Sequence, residues 1–362
     1  MTKNQENLLL NNQDSCPVCL GNGVAEIRNC WDFLKEKQRT ETNCIWTYFR
    51  CFTCKSLWLH SQPDRSQIAI CYDFDYMTHA APQKPLEPPS GLRSKLIFNL
   101  KLAYLSEILG YTSVAEKFPI QSLYKNLVHL LKHFSPARAY LGDLVRHVPY
   151  KNGGRLLDLG CGNGSYLLLM RELGWQVVGI EPDKLAYQQA TEQNLEVQSL
   201  SLEEIDFPPH SFDAITMSHV FEHLYNPQET VRKLTQLLKP GGILVSISPN
   251  PQSFNTCKFQ RYWRGLEPPR HLSIPSIAGY QHLSSLVGGI CHISTSTKLF
   301  RFLYRDSMSI KKIGSPGGNY SWQTAQALEP LILLWSLLDQ KIGDEIIFSL
   351  TCQTSPSSTR ES

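Results

Sequence analysis

The order of apolar runs in this 362-residue chain requires an α/β domain with a parallel, doubly wound sheet, set behind a small cysteine-rich module. From residue 154 onward, short apolar runs alternate with helical stretches, and a glycine-rich turn follows the first run. Two Cys-x-x-Cys pairs stand ahead of them, Cys16 with Cys19 and Cys51 with Cys54.

Composition narrows the class. The apolar share of 42% and charged share of 19% exclude wholesale disorder. With 35 Lys+Arg against 32 Asp+Glu, the net charge of +3 neither demands nor forbids a nucleic-acid surface. No run approaches the roughly 20 apolar residues of a membrane span; the longest, at 331–338, is broken by Ser336. The first residues carry no secretory pattern, so a cytoplasmic location is expected. The 11 cysteines are odd in number and irregular in spacing, which argues against a disulfide framework.

The elements divide the chain into residues 1–80, a zinc-ribbon module; 81–150, a linker and helical segment; 151–354, the α/β domain; and 355–362, a disordered tail. Four thiolates in two knuckles suit tetrahedral zinc. The 31 residues between Cys19 and Cys51 exceed the usual spacing of roughly 15–20 but accommodate a β-hairpin, with Tyr48, Phe49 and Arg50 on the strand entering the second knuckle. A structural Zn2+ on Cys16, Cys19, Cys51 and Cys54 is expected, closed and without a catalytic role. A redox pair or four packing thiols are the alternatives, and Cys30 and Cys44 lie in the same segment with a less apt spacing.

The proline-rich stretch 81–91 reads as a linker. After it, Leu92, Leu96, Leu100, Ala103 and Tyr104 recur at helix spacing. The broad apolar faces here and in an expected helix at 322–340 suit core packing, a homodimer contact or a cover over an apolar substrate. In the α/β part, strands are expected at 155–159, 176–180, 196–200, 212–217 and 243–248, with two more at 292–299 and 345–351. Helices are expected at 165–173, from the Asp183 cap to Gln193, and at 227–238, where Lys239-Pro240-Gly241-Gly242 ends the helix.

The strongest signal is LDLGCGNG at 157–164. Glycines at alternate positions let the backbone turn and approach a ligand closely, and the helix that follows offers free N–H groups. The G-x-G-x-x-G spacing of a dinucleotide site is not met. Glu181, at the end of the second strand, can accept hydrogen bonds from both hydroxyls of a ribose.

LDLGCGNG, VVGIEPD, FDAITMSHVFEHL and LLKPGGILVSISPNP occur in that order, and over about residues 155–273 the chain resembles the class I S-adenosylmethionine-dependent methyltransferases. The resemblance implies a Rossmann-like, seven-stranded methyltransferase sheet and S-adenosyl-L-methionine as cofactor. It implies that Asp158 orients the turn and meets the methionine amino group. Gly160, Cys161, Gly162, Asn163 and Gly164 would line the cofactor, Glu181 with Pro182 would hold the ribose, and Ser201 and Leu202 would flank the adenine. Ser218 and His219 would border the cofactor. Many members carry Asp where this chain has Ser201, which leaves adenine recognition to backbone groups. Cys161 reads as a packing residue rather than a nucleophile.

Methyl transfer from a sulfonium needs an aligned acceptor and, for a hydroxyl or an acidic carbon, a base. His223 and His271 follow the fourth and fifth strands, on the side where such sheets bind ligands; packing is the alternative for each. Arg270, beside His271 in EPPRHL, can take an acidic substrate group. Members that methylate base amines carry Asn/Asp-Pro-Pro-aromatic where this chain has SHVFEH, which favours an oxygen or carbon acceptor. A zinc ribbon ahead of such a domain resembles a bacterial family that shares a Tyr-Tyr-Thr-His-like segment, here DYMTH at 75–79, and the PPRHL element. In related sugar methyltransferases the zinc module encloses the substrate, which would bring Tyr76 and His79 to the site; packing of the linker is their alternative. The expected acceptor is a small molecule, sugar nucleotide or glycan. The rivals are an RNA methyltransferase gripping through Arg28, Lys35, Lys37, Arg39 and Arg50, and a non-catalytic scaffold that binds S-adenosylmethionine.

Overall fold

The computed structural model describes residues 10–34, 46–65, 86–318 and 320–352. Tyr76 and His79, and with them Lys35, Lys37, Arg39 and Cys44, lie outside the described residues.

The N-terminal module consists of β1 (Leu10–Asn12), β2 (Gly23–Cys30), β3 (Trp46–Cys51), β4 (Leu57–Leu59) and β5 (Ser61–Pro63). β2 and β3 form the antiparallel hairpin that the long gap between the knuckles accommodates, with Gly23 opposite Cys51. Four helices follow: α1 (Leu92–Glu107), α2 (Thr112–Lys117), α3 (Ser122–Leu131) and α4 (Ser135–Leu141). The α/β part opens with β6 (Arg155–Leu159), α5 (Ser165–Glu172), β7 (Gln176–Ile180), α6 (Lys184–Thr191) and β8 (Glu196–Gln198). It continues with β9 (Phe212–Ser218), α7 (Pro227–Leu237), β10 (Leu238–Pro249), α8 (Phe254–Phe259), β11 (Ser273–Ile274) and α9 (Ile277–Ser285). β12 (Ile290–Ser296), α10 (Phe300–Ile313), α11 (Trp322–Leu338) and β13 (Glu345–Thr351) close it.

Seven strands make one sheet in the order β12-β13-β10-β9-β6-β7-β8. β6 to β10 pair in parallel, and β13 runs antiparallel to both β10 and β12. This is the seven-stranded sheet expected. Its central strands are continuous apolar runs because both faces are covered by helices. Asp183 caps α6, its carboxylate accepting from the Ala186 N–H at 2.8 Å.

Three local differences have physical reasons. Lys239-Pro240-Gly241-Gly242 is not a plain helix stop: β10 already begins at Leu238, and the ladder slips between Leu238 and Ile243 to accommodate those residues. The strand expected at 292–299 ends at Ser296, because the chain turns there into α10. α8 and α9 went unread because α8 is short and Ser and Gly dilute the apolar periodicity of α9, whereas α10 does carry a helical apolar face, Phe300, Leu303, Tyr304 and Ile310, that the reading passed over.

The ribbon is not a separate bead. β11 leaves the main domain to pair antiparallel with β4, Ser273 opposite Trp58, giving a four-stranded sheet β11-β4-β3-β2. Trp58, Cys16, Cys51 and Cys54 share one apolar cluster with Phe221, Tyr280 and Phe348. Among the described residues no helix is long and apolar enough to cross a membrane. α11 nevertheless leaves Leu331, Leu334, Trp335 and Leu338 exposed.

Candidate active site

β6 delivers the glycine turn to the carboxyl edge of the sheet. Gly160, Gly162 and Gly164 have φ of 64°, 56° and 81°, the left-handed region that penalises any Cβ. Space forbids one as well: a Cβ on Gly160 would stand 2.5 Å from Val220 Cγ2, and one on Gly164 2.5 Å from Leu195 Cδ1. Asn163 Oδ1 accepts from the Ser165 N–H at 3.1 Å and covers the start of α5. Cys161 is buried against Gly179, and burial pushes its thiol up, away from the thiolate a nucleophile needs.

Glu181 is buried at the end of β7. Its Oε2 accepts from Gly162 N–H at 2.7 Å and its Oε1 from Asp183 N–H at 2.9 Å, across exposed Pro182. Each oxygen keeps a further lone pair for a ligand hydroxyl. Asp158 is fully buried; Arg146 and Thr216 hold its Oδ1, while its Oδ2 has no hydrogen-bond partner among the described residues. An orphaned carboxylate oxygen beside a glycine turn suits an ammonium group, so the residues present fit the cofactor that the motif implies. Ser201 and Leu202 lie just after β8, where the Ser201 N–H is taken by Glu204 at 2.7 Å. Ser218 ends β9, and His219 follows at φ 54°, its N–H donating to Ile247 O at 2.8 Å.

Beyond β9 and β10 lies a cavity of about 120 Å³, lined by His219, His223, Glu267, His271, Asp344 and Glu345 among others. His223 sits on the 3-10 turn Phe221–His223 and His271 in the PPRHL loop; their rings meet edge to face with centroids 4.8 Å apart. His223 Nδ1 lies 3.0 Å from Arg270 O and His271 Nδ1 2.8 Å from Gly265 O. A carbonyl oxygen only accepts, so in each ring Nδ1 carries the hydrogen, and the lone pair of the neutral form sits on Nε2. Burial pushes His271 down to about 4, which keeps it neutral near pH 7. Burial opposes charge on His219, but Glu222 and Glu345 outweigh it and push the ring up to about 10. That ring is 41% exposed, so water tempers the shift. Burial likewise opposes charge on Glu222, yet the facing histidines hold its carboxyl below the usual range.

The structure thus brings His219, His223 and His271 to one cavity. Arg270 is not available there for an acidic substrate group. It is fully buried, paired with Asp32 of the ribbon and with Glu267 at 3.4 Å, because the loop that carries it packs under the ribbon. Arg50 is likewise paired with Glu26 at 2.8 Å, which takes it out of the expected basic face. Sequence reasoning passed over Arg146, Tyr48, Glu222 and Asp344. Only Glu222 carried a signal, an acidic residue amid the apolar SHVFEHL. The Tyr48 hydroxyl lies 2.6 Å from Leu266 O and 2.9 Å from His271 O, so the ribbon fixes the backbone of the His271 loop.

Asp344 yields a pH prediction. Burial pushes its carboxyl up to about 7. A folded-state pKa above the unfolded one gives stability that is complete at low pH and is lost as pH rises from about 4 through that value. Asp344→Asn is therefore expected to match the parent's stability below about pH 4 and to exceed it at pH 8 by on the order of 4 kcal/mol, seen as a higher melting temperature. Equal melting at both pH values would refute this.

The four ribbon thiols converge. Their Sγ atoms all lie within 4.8 Å of one another, with Cys16–Cys54 at 3.6 Å and Cys19–Cys51 at 3.4 Å. Zinc–sulfur bonds of about 2.3 Å in a tetrahedron space the sulfurs about 3.8 Å apart, so this donor set fits zinc. Cys30 points its thiol toward Ile27 O instead, at 3.8 Å.

Residues 131–288 match a family model described as a methyltransferase domain. Fold, glycine turn and match make this part of the chain similar to the class I S-adenosylmethionine-dependent methyltransferases. Among curated proteins, the chain is similar to a ubiquinone biosynthesis O-methyltransferase of Nitrosospira multiformis, 34% identical over 137 residues, 34% of this chain and 54% of that one. A protein of the same description from Albidiferax ferrireducens is 33% identical over 122 residues, 31% of this chain and 48% of that one. A tRNA U34 carboxymethyltransferase of Desulfotalea psychrophila is 35% identical over 111 residues, 28% of this chain and 34% of that one. The chain spans about half or less of the length of these curated relatives.

Proposed function

We propose that the protein transfers the methyl group of S-adenosylmethionine to an oxygen, with carbon the alternative atom, of a small molecule, sugar nucleotide or glycan. The observation that carries this reading is the cavity beyond β9 and β10 that His223 and His271 line, each with Nδ1 anchored on a carbonyl oxygen. The names of the O-methylating relatives support oxygen.

The cofactor supplies a methyl group already activated on a sulfonium. Glu181 would hold its ribose, Asp158 Oδ2 its ammonium, and the backbone of 160–164 its length. What remains for the chain is to align the acceptor and take its proton. His271 Nε2 is the base on this reading, with Nδ1 anchored on Gly265 O and Tyr48 holding the loop. Arg270 positions that loop through Asp32 and Glu267. Cys16, Cys19, Cys51 and Cys54 would hold a structural zinc that keeps Tyr48 in place.

His271→Ala is expected to lower turnover by roughly 100-fold or more, while affinity for S-adenosylmethionine stays within about twofold. Methyl-labelled cofactor with fractionated cell extract reads the acceptor class. Label is expected in the small-molecule or glycan fraction. Full activity of the variant, or label confined to RNA, overturns the reading.

A further inference from the structure

We propose that Glu222, His223 and His271 form a second metal site, a two-histidine, one-carboxylate set for a divalent ion of the zinc class, open toward the cavity. This deepens the reading above and rests on it: with the ion bound, the two Nε2 lone pairs would hold it instead of taking a proton, and the ion would bind the acceptor oxygen and lower its pKa so that its proton passes to water.

One candidate ligand atom from each of the three residues lies within 4.8 Å of the others. Glu222 is fully buried, and neither carboxylate oxygen has a hydrogen-bond partner among the described residues. Its Oε1 faces His271 Nε2 at 3.9 Å. That nitrogen carries a lone pair, because Nδ1–H is given to Gly265 O; His223 repeats the pattern on Arg270 O. A buried carboxylate set against imine lone pairs is unfavourable unless a cation lies between them.

The neighbouring charges supply that cation only in part. Arg264 and Arg270 are committed to Glu267 and Asp32. His219 stands between two carboxylates, 3.3 Å from Glu222 and 3.1 Å from Glu345, so one imidazole serves both.

The donor chemistry names the ion. Two imidazoles and one carboxylate suit zinc and its transition-metal neighbours, whereas oxygen-only sets suit magnesium or calcium. Backbone carbonyls that fix each Nδ1–H are the outer partners which metal-ligating histidines use. Three protein ligands leave a coordination position vacant. Since His223 and His271 line the cavity, that position would take an oxygen donor: a hydroxyl, phenol or enol of the acceptor. The ribbon cluster is different in kind, closed by four sulfurs.

The test uses the full-length protein, saturated with Zn2+, freed of excess by gel filtration and counted for zinc by elemental mass spectrometry. The parent is expected to carry two zinc ions per chain, and Glu222→Gln and His223→Gln one each, with circular dichroism confirming their fold. Glu222→Gln keeps the shape of the side chain, and His223→Gln provides an independent second variant. Two ions in parent and variants alike overturn the proposal, as does a single ion that survives both substitutions. A single ion in the parent that both substitutions remove upholds this site and removes the one in the ribbon. Calorimetry with S-adenosylmethionine on the same samples reads the methyltransferase assignment separately. Normal cofactor binding without the second ion sinks the metal site alone; two ions without cofactor binding sink the functional reading alone.

Discussion

Cys51→Ser is expected to strip the ribbon of zinc, melt its strands β1 to β5 as a unit, and lower methyl transfer by roughly 100-fold or more. Binding of a structural zinc supplies on the order of 10 kcal/mol to small modules, comparable with the whole stability of an ordinary domain. Serine removes one of the four thiolates and shortens the reach to the metal. The damage would not stay local. Cys51 ends β3, and the same strand holds Tyr48 against His271 O. β4 pairs with β11, and Ser276 donates to Cys54 O, so the loop that carries His271 loses its anchors on both sides. Misplacing a reacting group by about 1 Å costs roughly 100-fold in rate. Zinc content and a thermal melt check this. A variant that retains a full zinc complement and the parent's melting curve would refute it.

Glu181→Ala is expected to weaken S-adenosylmethionine binding by roughly 100-fold while the domain stays folded. Hydrogen bonds to a charged acceptor are each worth about 1.5–3 kcal/mol, and every 1.4 kcal/mol is about tenfold in affinity. The carboxylate also receives Gly162 N–H and Asp183 N–H, so its loss frees the turn as well as the ribose contact. The fold should survive because Glu181 stands at the end of β7, beyond the paired residues of that strand. Isothermal calorimetry measures the effect, and unchanged affinity removes Glu181 from the site.

The sheet was legible because parallel strands covered on both faces must be apolar along their whole length. RLLDL, QVVGI and the FDAITM of β9 therefore stand out without any neighbour's help. The glycine turn was legible for a related reason: three positive-φ positions against Val220 and Leu195 exclude side chains, so the constraint is written in the residues themselves. The thiol cluster was legible from the spacing of its knuckles. Helices α8 and α9 were not, because short or weakly periodic helices are held by the surfaces they pack on.

The amino-acid sequence by itself determined the class of fold, the cofactor turn with its acidic partner Glu181, and the four thiols. Each depends on residues close in the chain or on the periodicity of a single element. Only the tertiary structure decided what the polar residues of the cavity do. It gave Arg270 to Asp32, 238 positions away, rather than to a ligand. It joined β11 to the ribbon, put Tyr48 behind His271, and set Glu222 between imidazoles with neither of its oxygens hydrogen-bonded. Burial, charge pairing and the direction of a lone pair are relations between residues distant in sequence, so they exist only once the chain has folded.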